Sequence, residues 1–285
     1  LEEKGLHLNL DGAWDGDALG LRKIDLKAWG PKLRYCAPRS VVEAFYREIE
    51  GIQAPFLLYG SGDFHYLTAL FLRRFREKAT VVSFDNHPDW DRRPPRWSCG
   101  GWTVRALEEG RASHVRVWGC GNFELQYPHR LFAARVHLRS GRLEPYAWAE
   151  RQTPDVCSRF RCVTRGNWQE VFSDFAEELT GENVYITVDM DCLRAEDAVT
   201  NWENGLFSAA DLAWALALLN RKARVTGGDI CGAYSRPVYA RLTQRIAGAW
   251  DHPRVTLPCE EDIRSINKAS LAVIWPALVS GRAQA

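Results

Sequence analysis

Short β-branched runs alternate with segments of helical spacing along most of this chain, and that alternation constrains its fold more than any other feature. Strands are expected at residues 56–59, 79–84, 114–118, 183–188 and 224–226, the last stopped by Gly227-Gly228-Asp229. Between them, Leu67, Leu70, Phe71 and Phe75 give residues 66–78 a helical pattern, residues 105–110 close a helix on Gly110, and residues 168–179 form another. Ser208-Ala209-Ala210-Asp211 has the form of a capping box with Asp for Glu, opening a helix to about residue 220. From about residue 237 the chain is expected to be mostly helical. Strands alternating with helices predict a three-layer α/β/α sandwich around a central, mainly parallel sheet. Residues 91–99 and 121–160 read as irregular excursions. No repeat or linker divides the chain, so residues 1–285 are expected to form a single domain.

In an open parallel sheet, ligands bind at the carboxyl ends of the strands. Four polar motifs fall there: Gly60 to His65, Asp85-Asn86-His87-Pro88-Asp89, Asp189-Met190-Asp191, and Gly228-Asp229. In extended backbone, side chains at i, i+2 and i+4 point the same way. The second motif can therefore aim two carboxylates and an imidazole at one point, and the third can add two carboxylates. Four carboxylates cannot share a small volume ionised without positive charge beside them. A pair of divalent cations supplies it. Mixed carboxylate and imidazole donors suit manganese, iron, cobalt or zinc better than calcium.

Bulk composition excludes other classes. A formal charge of +1 gives no basic field for nucleic acid. Arg73, Arg74, Arg76 and Lys78 read as a solvated helix face. No apolar run reaches the ~20 residues that span a bilayer, and the first residues lack a signal-peptide layout. The eight cysteines include no CxxC pair, which points to reduced thiols and a cytoplasmic location.

These residues carry a family resemblance. The chain resembles the ureohydrolases, the arginase and agmatinase group, within the larger fold shared with histone deacetylases. The family's DAHxD is similar to Asp85-Asn86-His87-Pro88-Asp89. Its DxDxxD is similar to Asp189-Met190-Asp191 with Arg194 at the third acidic position. Its GGDH loop resembles Gly62-Asp63-Phe64-His65 with Phe64 inserted, and its Gly-Leu-Thr/Ser resembles Gly205-Leu206-Phe207-Ser208. The likeness covers residues 55–235. It implies two manganese ions, one held by His65, Asp85, Asp89 and Asp189, the other by Asp85, His87, Asp189 and Asp191. Asp85 and Asp189 would bridge them. Activated water would attack a planar guanidinium carbon, with Asp89 orienting it. The complete DxHxD and DxD pairs favour two metals over the single zinc of the deacetylase branch. The family also forms homo-oligomers, although no interface motif is readable here.

Three departures bear on the substrate. The family's proton-shuttle His is replaced by Cys99, in Cys99-Gly100-Gly101 ahead of Arg105-Ala106-Leu107-Glu108-Glu109-Gly110. Cys99 is either the shuttle or a small buried thiol, and His114 and His129 are other shuttles. The family's guanidinium-binding Glu is replaced by Gly232, which would open space. Glu203 is then the first candidate for that acid, ahead of Glu260 and Glu261. Motifs for the amino-acid end of free arginine are absent, which fits a peptide arginase turning peptidyl arginine into ornithine and urea. The stretch of residues 90–97, with Trp90, Arg92, Arg93, Arg96 and Trp97, forms either a pocket rim or a lid. The resulting expectation is a cytoplasmic, manganese-dependent ureohydrolase acting on a guanidino small molecule or an arginine-containing peptide. A metal-dependent amide deacetylase, or a metal-binding protein with lost catalysis, are the alternatives.

Overall fold

Successive strand residues face opposite sides of a sheet, and the central strands here are apolar on both sides. The computed structural model describes residues 4–14 and 19–280. Among these, nine strands form one sheet: β1 (Gly5–Asn9), β2 (Lys23–Asp25), β3 (Phe56–Tyr59), β4 (Ala79–Phe84), β5 (Ala112–Cys120), β6 (Leu143–Trp148), β7 (Arg161–Val163), β8 (Asn183–Asp189) and β9 (Arg224–Cys231). Their order is β2-β1-β3-β9-β8-β4-β5-β6-β7, and every pairing is parallel. Leu57, Tyr59, Val81 and Tyr185 enter one core, shared with the helices Arg39–Ile49 and Trp102–Glu108. Their neighbours Phe56, Leu58, Val82, Phe84, Val184 and Ile186 enter the other. That second core is closed by the helices Trp168–Glu178, Ala209–Lys222 and Glu260–Val279. The three-layer α/β/α sandwich follows from this alternation.

Sequence neighbours β3 and β4 are separated in the sheet by β9 and β8. The chain reverses its direction of travel there, which makes this the topological switch point. The polar motifs lie at the carboxyl ends of β3, β4, β8 and β9, so their convergence is a property of the strand order.

The helix after residue 208 starts as the sequence predicts: Ser208 Oγ accepts from Asp211 N, and Asp211 returns the bond to Ser208 N. Other expectations are corrected. Residues 66–78 contain no single helix; 3₁₀ turns at Gly62–Leu67 and Leu72–Arg74 flank one short α turn, Thr68–Phe71. The last strand does not stop at Gly227. It bulges at Thr226, where Val184 pairs with Val225 and Tyr185 with Gly227. The glycines are needed inside it, because a Cβ on Gly227 would lie 2.5 Å from the Phe75 ring, and one on Gly228 would lie 2.6 Å from Ile186 O. Residues 121–160 are less irregular than expected, since they supply β6. Strands β1, β2, β6 and β7 and the helix Arg39–Ile49 add to the sequence-predicted elements. No helix of the described residues is long and apolar enough to cross a membrane.

Candidate metal centre and pocket

The first acidic motif lies just beyond β4, and its convergence does not come from strand alternation. Asp89 takes a left-handed backbone with φ 46°, a conformation Asp tolerates better than most side chains. The turn brings Asp89 Oδ2 to 3.4 Å from His65 Nδ1. In the second motif, Asp189 ends β8 and caps the 3₁₀ turn Met190–Cys192, which carries Asp191.

Three carboxylates share one design. Asp85 Oδ1 accepts from His87 N at 2.7 Å, Asp189 Oδ1 from Asp191 N at 3.1 Å, and Asp191 Oδ1 from Asn86 N at 3.1 Å. Backbone donors thus pin each Oδ1 and turn each Oδ2 toward an imidazole. Asp85 Oδ2 lies 3.0 Å and Asp189 Oδ2 3.5 Å from His65 Nδ1, and Asp191 Oδ2 lies 2.9 Å from His87 Nδ1.

Both imidazoles are oriented from behind. Thr187 donates its hydroxyl to Asp229 Oδ1 at 2.6 Å, so its oxygen must accept from His65 Nε2 at 2.9 Å. Asp229 is fully buried and also takes hydroxyls from Tyr185 and Thr68. On the other side, Glu203 Oε2 faces His87 Nε2 at 3.3 Å. Each ring thus has an oxygen behind Nε2 and carboxylates in front of Nδ1. Burial opposes charging His65 and His87, but the carboxylates they face raise both well above the usual histidine range. A cation taking the place of that proton would meet Nδ1 with Nε2–H held behind, as in metal-ligating histidines.

The donor set fits cations. His65 Nδ1 and Asp85 Oδ2 are buried and without a hydrogen-bond partner. His65, Asp85 and Asp89 form one group able to hold a metal ion, and Asp85, His87 and Asp191 form a second. A third joins His65 and Asp189 to Cys231, whose thiol lies 3.6 Å from Asp189 Oδ2. Burial, reinforced by the charge of Asp85, pushes Asp89 up to about 7 and Asp191 to about 6. Burial and the charge of Asp191 drive Asp189 well above the carboxylate range. Burial also opposes ionising Asp85, but the imidazoles of His65 and His87 that face it hold it below that range. The site concentrates more negative charge than it compensates.

The cavity over these residues is lined by Gly62, Cys99, Glu124, Trp202 and Asp251 besides the carboxylates. Glu124 Oε2 is buried without a partner. Burial pushes this carboxyl up to about 8, with His87 opposing and Asp89 adding to the shift. Cys99 is held as a neutral thiol, raised first by burial and then by Asp63 and Asp89. Trp202 packs edge-on to both His87 and His252, at 5.4 and 4.6 Å. Beside the mouth, buried Arg34 donates Nε to Asp63 at 2.6 Å and its terminal nitrogens to Ser235 Oγ and Ser235 O, and it lies 3.4 Å from Asp11. His252 Nε2 meets Asp63 from the other side at 2.6 Å.

No protein-family model matches the chain. An uncharacterized protein of Thermotoga maritima is 27% identical over 190 residues, 65% of this chain. That stretch spans 62% of the relative, less than two thirds of its length. Solved structures match nearly the whole chain. The proclavaminate amidino hydrolase from Streptomyces clavuligerus matches 99% of this chain and 93% of its own at TM-score 0.56 and 13% identity. Arginase from Bacillus subtilis matches 99% and 100% at TM-score 0.56 and 11% identity. A hypothetical agmatinase from Burkholderia thailandensis matches 98% and 88% at TM-score 0.54 and 16% identity.

This chain has the arginase-like fold.

Within that fold the structure brings His65, Asp85, His87, Asp89, Asp189 and Asp191 together, and places Cys99 on the cavity wall. It places Glu203 behind His87, away from the cavity lining. Glu260 and Glu261 are exposed in the first turn of the helix Glu260–Val279. His114 pairs with Thr80 at the amino ends of β5 and β4, opposite the site. His129 sits in the next cavity outward, edge-on to Phe123 at 4.5 Å. The expected open space at Gly232 is absent. Its φ is +104°, and a Cβ would lie 2.1 Å from Asp189 Oδ1. Glu124 and Asp251 were not singled out by sequence. Glu124 follows β5, so its place at a fifth strand end was a usable signal; Asp251 ends a helix far along the chain and carries none.

Proposed function

We propose that this chain is a binuclear metal-dependent ureohydrolase that cleaves a guanidino C–N bond and releases urea. Asp85 carries the reading: its two oxygens face His65 and His87 and join both ligand groups into one buried cluster. One ion would be held by His65, Asp85, Asp89 and Asp189, and the other by Asp85, His87, Asp189 and Asp191. Manganese is the favoured metal for this donor set. The chemistry such ions supply when bound is water acidified toward neutrality.

The chain's own residues do the rest. Asp89 accepts the hydrogen bond of the attacking water. A guanidinium in a dry pocket needs a carboxylate partner, and half-buried Glu124, with Oε2 enclosed and unpaired on the cavity wall, supplies it. Glu203, the acid first expected there from sequence, orients His87. Cys99 donates the proton to the leaving amine.

The favoured substrate is arginine within a peptide, giving ornithine and urea. The free space supports it by widening outward, from a cavity of about 30 Å³ to one of about 140 Å³ that shares Glu124 and Asp251. Residues 1–285 act as one metallohydrolase domain in this reading. Eight unpaired cysteines suit a reducing cytoplasm. Exposed Leu242, Ile246 and Trp250 on one helix face support a homo-oligomer.

The test is to load the protein with Mn²⁺, count bound metal, and assay urea from arginine, agmatine and an arginine-containing peptide. Two ions and urea from the peptide are expected. Acetate release from acetylated amines, without urea, would move the protein to the deacetylase branch, and fewer than two ions would undo the ligand assignment.

A further inference from the structure

Beyond the 140 Å³ cavity, and sharing Arg93 and Phe132 with it, lies a groove of about 510 Å³. Four arginines line it: Arg92, Arg93, Arg96 and Arg105. The acids available do not balance them. Asp91 is taken by Arg93 at 2.7 Å, and Glu108, the sole acid in the lining, pairs with Arg105. Exposed Arg92 and Arg96 have no carboxylate partner among the described residues. Arg105 is the more telling residue. Its side chain is buried to 8% exposure, it lines the groove, and its Nε has no hydrogen-bond partner. Glu108 holds its terminal nitrogen, so Arg105 stands as a fixed cation on the groove wall.

The segment is built to hold these cations in place. Trp90 and Trp97 are buried and anchor the two ends of residues 90–97, while the arginines between them face outward. Arg93 lies over the Phe132 ring at 3.9 Å. The stretch that reads from sequence as a rim or a lid is thus a pinned rim carrying the charge.

We propose that this groove binds an anionic segment of the substrate, so that the natural substrate is a peptide whose reactive arginine is flanked by acidic residues. The arginine side chain enters the acidic inner cavity while neighbouring carboxylates lie across Arg92, Arg96 and Arg105. Two poles of opposite sign, in a row of adjoining cavities that share lining residues, set both the orientation and the minimum length of what binds. An arginine too short to span them reaches only the inner pole. The groove's apolar floor of Val104 and Phe132 suits a peptide better than a phosphate ladder, and the chain's net charge of +1 gives nucleic acid no long-range attraction. The peptide part of the inference rests on the proposed ureohydrolase reading; the anion site rests on the groove alone.

The test separates the two. Binding of fluorescent peptides to the Mn²⁺-loaded protein is measured by anisotropy, using one acidic peptide with a central arginine, the same peptide with that arginine replaced by alanine, and neutral and basic versions. Urea release from the arginine-containing members is followed in parallel. The acidic peptides are expected to bind about tenfold tighter than the neutral one, to lose that advantage as salt rises, and to lose it in Arg92→Glu/Arg96→Glu. Acidic-peptide binding without urea from any peptide would keep the groove and sink the ureohydrolase reading. Equal binding and equal urea release from acidic, neutral and basic peptides would keep the chemistry and overturn the groove. Tighter binding of a single-stranded oligonucleotide than of the acidic peptide would also overturn it. The wild-type peptide series is decisive even if the double variant misfolds.

Discussion

His65 Nδ1 and Asp85 Oδ2 face each other at 3.0 Å, both buried and neither hydrogen-bonded. Thr187 stands behind the ring as an acceptor for Nε2, so the space between Nδ1 and Oδ2 suits a positive charge, either a proton or a cation. Because Asp85 serves both ligand groups, Asp85→Asn should cost both ions, whereas Asp191→Asn should weaken one site more than the other. Elemental analysis after dialysis against Mn²⁺ reads this directly. An Asp85→Asn protein that still holds two ions would remove the bridge from the scheme.

The hydrogen bonds behind His65 should matter nearly as much as the ligands. Thr187→Val leaves Nε2 without its acceptor and frees the ring to change tautomer. Metal affinity should fall by about 10–100-fold, with the fold intact by circular dichroism. Unchanged affinity in competition with a chelator would show that Thr187 is packing alone.

Glu124 makes a pH prediction. Its pKa in the folded protein is about 8, raised mainly by burial, against an ordinary value of 4.5. Between those values the folded chain keeps a proton that the unfolded chain releases, so stability falls as pH rises through the window. Metal-free Glu124→Gln should therefore melt higher than the parent at pH 8 and coincide with it near pH 4, by roughly 2–4 °C for each kcal/mol relieved. The same variant should lose at least about thirtyfold in kcat/KM toward a guanidino substrate, from the missing charge pair. A parent and variant that melt together at every pH would contradict the buried, unpaired state.

Gly232 should tolerate no side chain. Gly232→Ala places a Cβ against Asp189 and in a strained backbone, with a loss of about 1–3 kcal/mol and weaker metal binding. Gly232→Glu, which reinstates the acid of the resembled family, should give no gain in urea release. A gain would mean that the turn after β9 can rearrange.

Cys99→Ala tests the proton donor. If the thiol protonates the leaving amine, kcat should fall by about a hundredfold with KM little changed, and Cys99→Ser should recover part of it. A drop confined to KM would assign Cys99 to the cavity wall.

The sandwich and the identity of the six site residues were readable because each depends on local pattern: apolar runs on strands, and carboxylates and imidazoles at or just past their ends. What escaped depends on distant parts of the chain. Gly227-Gly228 looks like a stop locally, yet it lies inside β9 because Phe75 and Ile186 press on it. Asp89 converges through a left-handed turn that no periodicity announces. Glu203 was read as a substrate acid from its type and place, and only the fold could reveal His87 Nε2 beside it. Glu124 carries no motif, and its chemistry comes from burial.

Arg34 has a consequence for timing. Its guanidinium gathers Asp11, Asp63 and Ser235, groups far apart in sequence. That knot ties only after β1, β3 and β9 have come together, and parallel strands so far apart in sequence pair slowly. Ser235 and Asp11 lie 224 residues apart in sequence, so this one cluster of polar contacts closes only in a chain whose β1, β3 and β9 already stand side by side.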